Sequence, residues 1–369
     1  MPENQTRNLL VKKDWFYIII SWSVLMLGFI GILYYAPGYL RQLRSQDPAQ
    51  YRMSGLQYFK EKKYDQAIEN LRLGLELAPE NSDMNFLLGR ALDEKKDFPK
   101  AEKYLKKAIE LQPDNIGYIN ALSWHYTQST QWEQAEQLWL GQLKKEPGNM
   151  AYLSQLASIY EKMKLPGKAI SMYQKVYTTD PRSMEAIQGL AKNYTLVHKN
   201  DKALEFWLKI VASHPEDSNA WYNLGRLWEE KKNLKKAEDA FKQALLLDDE
   251  NYYYNLSMAR LYFRTGNPSG MLQAEKYLAQ STTASPNQFE PYYMLGLMHR
   301  DVKKNYPMAV ILFKAALKNK VDVYGYRDLG AVYEKLNQPQ EALKAYKKVL
   351  EIDPGFPVKD RISRLSKSS

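Results

Sequence analysis

The chain has 369 residues, of which 45% are hydrophobic and 25% charged. These are the proportions of folded protein, and the length suits two or three domains or one extended array. The formal net charge of +10 fits an acidic partner, anionic lipid or nucleic acid without choosing among them. With no cysteine, disulfides, thiolate zinc sites and cysteine nucleophiles are excluded. His125, His198, His214 and His299 lie far apart and form no metal-ligand spacing.

Residues 1–14 read as a polar tail, followed by an apolar segment at 15–36. No charged residue occurs from Trp15 through Leu40. The run from Trp15 to Tyr35, as a helix, is about 31 Å long, which matches a hydrocarbon core of about 30 Å. Trp15, Phe16 and Tyr17 mark one end, and Tyr34, Tyr35 and Tyr39 the other, as interfacial aromatic belts do. Pro37 and Gly38 then stop the helix. A cleaved signal peptide would have a shorter apolar core and a small-residue cleavage site, whereas Pro37 stands at that point here. The segment is therefore expected to be an uncleaved single-pass anchor in a lipid bilayer. Arg7, Lys12 and Lys13 precede it, and Arg41, Arg44 and Arg52 lie beyond it. The balance is even, but Lys12 and Lys13 lie nearest the hydrocarbon and slightly favour a cytoplasmic N-terminus, with the C-terminal part extracytoplasmic. Gly28 and Gly31 are spaced three apart, so the four-residue helix-pairing motif is absent. Residues 37–47 form a short tether that holds the remainder of the chain near the membrane surface.

From 48 to 356 the sequence repeats itself. "YDQAIENLRLGLELAPEN" from Tyr64 is matched 34 positions later by "FPKAEKYLKKAIELQPDN" from Phe98. An alanine marks the same place in nine copies: Ala67, Ala101, Ala135, Ala169, Ala203, Ala237, Ala274, Ala309 and Ala342. A proline follows most of them by twelve residues, as at Pro79, Pro113, Pro147 and Pro181. Upstream of each alanine stands another small residue: Gly55, Gly89, Ser123, Ala157, Ala191, Gly225, Ala259, Gly296 or Gly330. A bulky residue usually follows it by three, as at Tyr126, Tyr160, Tyr194, Trp228 and Tyr262. Apolar residues at intervals of three and four make each half an amphipathic helix. The two small residues belong where the paired helices cross, with the bulky ring in the neighbouring hole. One hairpin cannot bury its apolar face alone, so neighbours must stack.

This pattern resembles the tetratricopeptide repeat (TPR), a 34-residue helix–turn–helix unit. The resemblance implies an all-α, right-handed superhelical solenoid of about nine hairpins. Repeat seven carries an insertion around "RTGNPSG" from Arg264 and repeat eight one around "KKNYP" from Lys303. Both are expected to be protruding loops between paired helices. Residues 357–369 read as a capping helix and tail that cover the last exposed core.

No catalytic constellation, cofactor motif or metal cluster stands out. "PGKAIS" from Pro166 lacks the leading glycine and the hydroxyl residue of a phosphate loop. TPR arrays bind peptides or partner proteins in a groove lined by the first helix of each unit, and the resemblance places certain residues there. Lys192, Arg226 and Arg260 hold equivalent positions in repeats five to seven, with Arg264 and Arg300 close in register. Tyr222, Tyr253, Phe263 and Tyr293 share the face. Arginine and aromatic residues are frequent interface anchors, so this line is expected to grip an acidic or C-terminal segment of a partner. Alternatively, the charges pair with Glu229, Glu230, Asp301 and Glu290 and keep the groove wet. The lysine–asparagine set by which some TPR co-chaperones clamp a terminal carboxylate is not matched. Neither is the asparagine ladder of glycosyltransferase-associated arrays.

Anchor plus array resembles the membrane-anchored TPR proteins of bacteria, which gather partners at a bilayer. A relative in outline, the regulator of lipopolysaccharide assembly, ends in a cysteine-rich module that this chain lacks. The expected function is a non-enzymatic scaffold for assembling protein complexes at a membrane. A permanent structural subunit of an integral membrane complex is one alternative. Binding of nucleic acid or anionic lipid through net positive charge is another, although no base-stacking or groove-reading motif supports nucleic acid.

Overall fold

The computed structural model describes residues 47–266 and 268–367. The expected tail and anchor, and the tether up to residue 46, lie outside the described residues. Among the described residues no helix is long and apolar enough to cross a membrane, and all regular structure is helical. The chain divides into two compact units, one ending at Met163 and one beginning at Lys164.

The first unit contains α1 (Pro48–Lys60), α2 (Tyr64–Leu77), α3 (Ser82–Glu94), α4 (Phe98–Leu111), α5 (Ile116–Gln128), α6 (Trp132–Lys145) and α7 (Met150–Lys162). The second contains α8 (Pro166–Thr179), α9 (Met184–Leu196), α10 (Asn200–Ser213), α11 (Ser218–Glu230), α12 (Leu234–Leu247), α13 (Tyr252–Thr265) and α14 (Pro268–Ala284). It continues with α15 (Phe289–Asp301), α16 (Tyr306–Asn319), α17 (Val323–Lys335), α18 (Pro339–Ile352) and α19 (Lys359–Lys367).

Local chemistry explains the helix ends. Most first helices of the hairpins start from an Asn, Asp or Ser whose side chain accepts a hydrogen bond from an otherwise orphaned backbone N–H. Asn81 accepts from the Met84 amide at 2.9 Å, and Asn115, Asn149, Ser183, Asp217 and Asn251 act alike. Between the paired helices the chain passes through a left-handed residue that is seldom glycine: Lys62, Lys96, Thr130, Lys164, His198 and Lys232 have φ between 54° and 62°. Such a backbone costs a side-chain-bearing residue about 1–2 kcal/mol, and Thr130, β-branched at φ 59°, is the least suited of them.

The two small positions lie at the helix crossings. All nine register alanines are fully buried. The upstream small residue faces a large one about sixteen positions on. A Cβ on Gly89 would come within 2.7 Å of Leu105 Cγ and 3.2 Å of the Ala101 carbonyl oxygen. One on Gly330 would come within 2.7 Å of the Tyr346 ring. Phe313 and Phe241 fill the same place opposite Gly296 and Gly225. In the third hairpin the large residue is Trp139, and there the small residue is a serine. Ser123 Oγ accepts from the buried indole N–H at 2.7 Å.

The bulky tyrosines also tie neighbouring hairpins together. Tyr126, Tyr160 and Tyr262 each donate to a glutamate 24 residues earlier, on the second helix of the preceding hairpin. The acceptors are Glu102 (3.3 Å), Glu136 (2.8 Å) and Glu238 (2.6 Å). Burial and the Glu136 carboxylate push the Tyr160 phenol up to about 12. At Glu275 the partner 24 residues on is His299, 3.7 Å away. After Ala67 and Ala203 the next residue is apolar, Ile68 and Leu204, and the positions 24 later hold Leu92 and Trp228.

Neither insertion is a protruding loop. In repeat seven the extra residues lengthen the helices: α13 runs to Thr265 and α14 has 17 residues, against 14 for the other second helices. Gly266, at φ 68°, makes the turn. In repeat eight the turn from Asp301 to Tyr306 is only one residue longer than that from Lys60 to Tyr64. Continuing a helix satisfies the added backbone groups, which a loop would leave to solvent. At the far end α19 lies on α18, with Val358 buried and Ile362 and Leu365 half-buried against the last core cluster. Arg361 donates to Tyr346 Oη at 2.7 Å and to Glu334 at 3.1 Å.

Three substitutions probe this packing. Gly89→Val should lower the free energy of unfolding by about 1–3 kcal/mol, since Leu105 and the α4 backbone leave no room. Gly141→Ala, where an added Cβ meets nothing within 4 Å, should raise it by about 0.5–1 kcal/mol. Thr130→Gly should be neutral or stabilising by about 1 kcal/mol, through relief of the left-handed strain. Urea denaturation followed by circular dichroism measures all three, and a Gly89→Val midpoint equal to wild type would contradict the crossing geometry.

Candidate functional site

Each first helix places the residue after its small register position on the helix face next to the crossing. In chain order these residues are Leu56, Arg90, Trp124 and Ser158, then Lys192, Arg226, Arg260, Leu297 and Ala331. The series offers two separate polar surfaces, one in each unit.

In the second unit most of the expected groove residues already have partners. Arg260 makes a bidentate pair with Glu290, at 2.8 Å from Nε and 2.5 Å from Nη2. Arg264 Nη1 lies 2.6 Å from Glu229. Arg300 binds Asp301 through Nε at 2.6 Å and Asp328 through Nη1 at 2.9 Å. Asp328 is buried and also accepts from Tyr293 Oη at 2.7 Å and from Arg327. Tyr293 is thus a wedge in a polar knot, stacked on Phe289 at 5.1 Å, and burial together with the Asp328 carboxylate raises its phenol pKa. Phe263 is half-buried against the core cluster of its hairpin. Tyr222 packs on Tyr254 at 4.9 Å. Lys192 is exposed on α9. Arg226 is exposed and makes no ion pair among the described residues, and Tyr253 is 64% exposed. The pairing with Glu229, Glu290 and Asp301 is therefore what the structure places here, and it leaves Arg226 and Tyr253 open.

The first unit holds a groove that the basic line of repeats five to seven does not include. It encloses about 440 Å³, and Arg90, Asn120, Trp124, Gln155, Ser158 and Lys162 are among its lining. The Arg90 guanidinium carbon stands 5.3 Å from the centre of the Trp124 ring and 5.9 Å from that of Phe59, so the cation is held between two aromatic faces. Its Nε is buried without a hydrogen-bond partner, and no carboxylate pairs with it among the described residues. Lys162 is exposed and likewise unpaired among them. No Asp or Glu lines the groove. The signal for Arg90 is present in the sequence: it follows Gly89 as Arg226 follows Gly225.

Buried contacts fix the walls of this groove. His125 Nδ1 and Asp93 Oδ1 lie 2.5 Å apart, both side chains wholly buried, and link α5 to α3. Tyr118 Oη donates to Asp83 at 2.7 Å, and its ring stacks on Phe86 at 5.0 Å. These links hold Arg90 and Trp124 on adjacent helices in one relative position. Among the described residues no cluster of His, Asp or Glu is arranged to hold a metal ion.

Partnered and open charges should respond differently to mutation. Asp328→Ala leaves the Tyr293 hydroxyl and Arg327 without their buried acceptor, removes one of two carboxylates from Arg300, and should cost about 1–3 kcal/mol of stability. Arg226→Ala should change stability by less than about 0.5 kcal/mol. Chemical denaturation of both variants checks the contrast.

Comparison with known proteins agrees with the repeat pattern. Residues 209–321 match the family model described as the cytochrome c-type biogenesis protein H TPR domain. Residues 58–124, 151–183 and 323–356 match tetratricopeptide repeat models. Protein O-mannosyl-transferase TMTC3 of Mus musculus is 27% identical over 150 residues, covering 37% of this chain. The chain spans only 16% of the length of that curated relative. Among solved structures, PilF of Pseudomonas aeruginosa aligns over 60% of this chain and 97% of its own, at 16% identity and a TM-score of 0.47. Cut9 in the APC/C Cut9–Hcn1 hetero-tetramer aligns over 82% and 59%, at 17% identity and a TM-score of 0.45. With four family models matched along it, the chain belongs to the tetratricopeptide repeat proteins.

Proposed function

We propose that this protein is a membrane-anchored scaffold that recruits or assembles partner proteins at a bilayer and catalyses no reaction itself. The observation that carries the reading is the first-unit groove, a preformed concave surface whose cations lack internal partners among the described residues. Unpaired, partly desolvated cations and an accessible indole are the side chains that interfaces most often use as anchors. The uncharged segment from Trp15 to Tyr35 supplies the attachment, and the tether keeps the repeats within reach of the membrane. The lysines beside that segment favour repeats on the extracytoplasmic side. The match of residues 209–321 to the TPR domain of a cytochrome c-type biogenesis protein favours partners from that assembly process. A permanent subunit of an integral membrane complex would differ in co-purifying at fixed stoichiometry.

Removing residues 1–36 should move the protein from the membrane to the soluble fraction with its repeats still folded. Mild detergent extraction of the full chain should bring partner proteins with it. Protease added to intact cells should cut the repeats if they face outward. A full chain that remains soluble, or that is extracted alone under gentle conditions, would rule out the scaffold.

A further inference from the structure

We infer that the first-unit groove takes an extended acidic segment of a partner protein, in which two carboxylate side chains flank an apolar one. The inference rests on the scaffold reading and names the class of ligand. The lining supplies charged donors, neutral donors and one apolar surface, and it supplies no carboxylate. Arg90 on α3 and Lys162 on α7 are both without an anionic partner among the described residues, and α5 lies between them in sequence with Trp124 exposed on it. The Arg90 guanidinium is oriented by stacking between Trp124 and Phe59 instead of by an acid. Its two Nη groups therefore carry no hydrogen bond among the described residues, while Nε is buried and closed to an incoming acceptor.

A guanidinium fixed in this way can bind a carboxylate end-on, through two parallel hydrogen bonds from its Nη groups. At one other place on the same register line the protein supplies an acid itself: Glu290 meets Arg260 through Nε and Nη2. Arg90 and Arg226 share that register position without such a partner, and of the two only Arg90 stands in a groove whose lining has no carboxylate. Asn120 and Gln155 are exposed and make no side-chain hydrogen bond among the described residues. Side-chain amides can pair with the backbone of an extended peptide, as donor and as acceptor. The indole face offers contact to an apolar side chain between the two acids.

The pattern decides against other anions. A terminal carboxylate brings one charge, whereas the groove has two cations, on separate helices. Nucleic acid and anionic bilayers are held by many cations along a backbone or over a surface, and this groove has two, separated by neutral groups.

The full chain in detergent micelles, panned against a display library of random peptides, tests the proposal. Selected peptides should carry Asp or Glu on both sides of an apolar residue. Replacing those acids by their amides in a synthetic copy should weaken binding about tenfold or more, and blocking its C-terminal carboxylate should not matter. Arg90→Gln and Lys162→Gln should each weaken the same peptide by about tenfold, and Arg226→Gln should leave it unchanged. Lys162 is exposed, so its variant is expected to fold, and circular dichroism verifies both. The proposal is overturned if no peptide or only neutral or basic peptides are selected, if binding needs the free C-terminus, or if Arg226→Gln alone abolishes it. Binding of anionic phospholipid vesicles or DNA that Arg90→Gln removes would likewise overturn it. If natural partners still co-purify with the Arg90→Gln and Lys162→Gln chains, this inference fails while the scaffold reading stands. If nothing co-purifies with wild type, the scaffold reading itself fails.

Discussion

The structure depends on the close approach of paired helices at two small residues. Within each unit, buried alanines with a small residue such as Gly55, Gly89, Gly225, Gly296 or Gly330 opposite let the backbones come near enough for one large side chain to fill the crossing. Interiors pack like crystals, so a methyl group at such a point must displace something. The choice of large residue varies from Leu71 to Trp139, Phe241 and Tyr346, all fully buried. The small partner adjusts to it, most clearly where Ser123 accepts the Trp139 indole proton.

A second layer of contacts converts stacked hairpins into rigid units. Tyrosine-to-glutamate hydrogen bonds spaced by 24 residues run from one hairpin to the next. A polar group shielded from water must find a partner, and at these three sites the tyrosine hydroxyl and the glutamate supply each other. The His125–Asp93 contact does the same between α5 and α3, where both side chains are wholly buried. Such links are short-range, as expected for an array in which each repeat touches its neighbours.

Rigidity has a functional consequence, because groove side chains are carried by first helices whose buried faces cannot shift. The two units use their cations differently. In the second, Arg260, Arg264 and Arg300 are neutralised by Glu290, Glu229 and Asp301 with Asp328. The exposed pairs of Arg260 and Arg264 add little stability, but like that of Arg300 they give the cation an internal partner. In the first, Arg90 is positioned by rings that cannot neutralise it.

The all-helical class, the 34-residue unit, the crossing positions and the capping helix were legible in the sequence. They depend on the spacing of residue size and polarity, and helix periodicity converts spacing directly into position. The basic line at Lys192, Arg226 and Arg260 was legible as a register, and so was Arg90, which obeys the same rule. What the sequence could not decide was which of these cations is free. Glu290 lies 30 residues from Arg260, Asp328 lies 28 from Arg300, and Trp124 lies 34 from Arg90. Only the packing of one hairpin on the next determines whether a carboxylate or an aromatic ring arrives beside the charge. The insertion in repeat seven was decided in the same way: its length is plain in the chain, but whether it loops out or lengthens α13 and α14 depends on where the added backbone groups find hydrogen bonds.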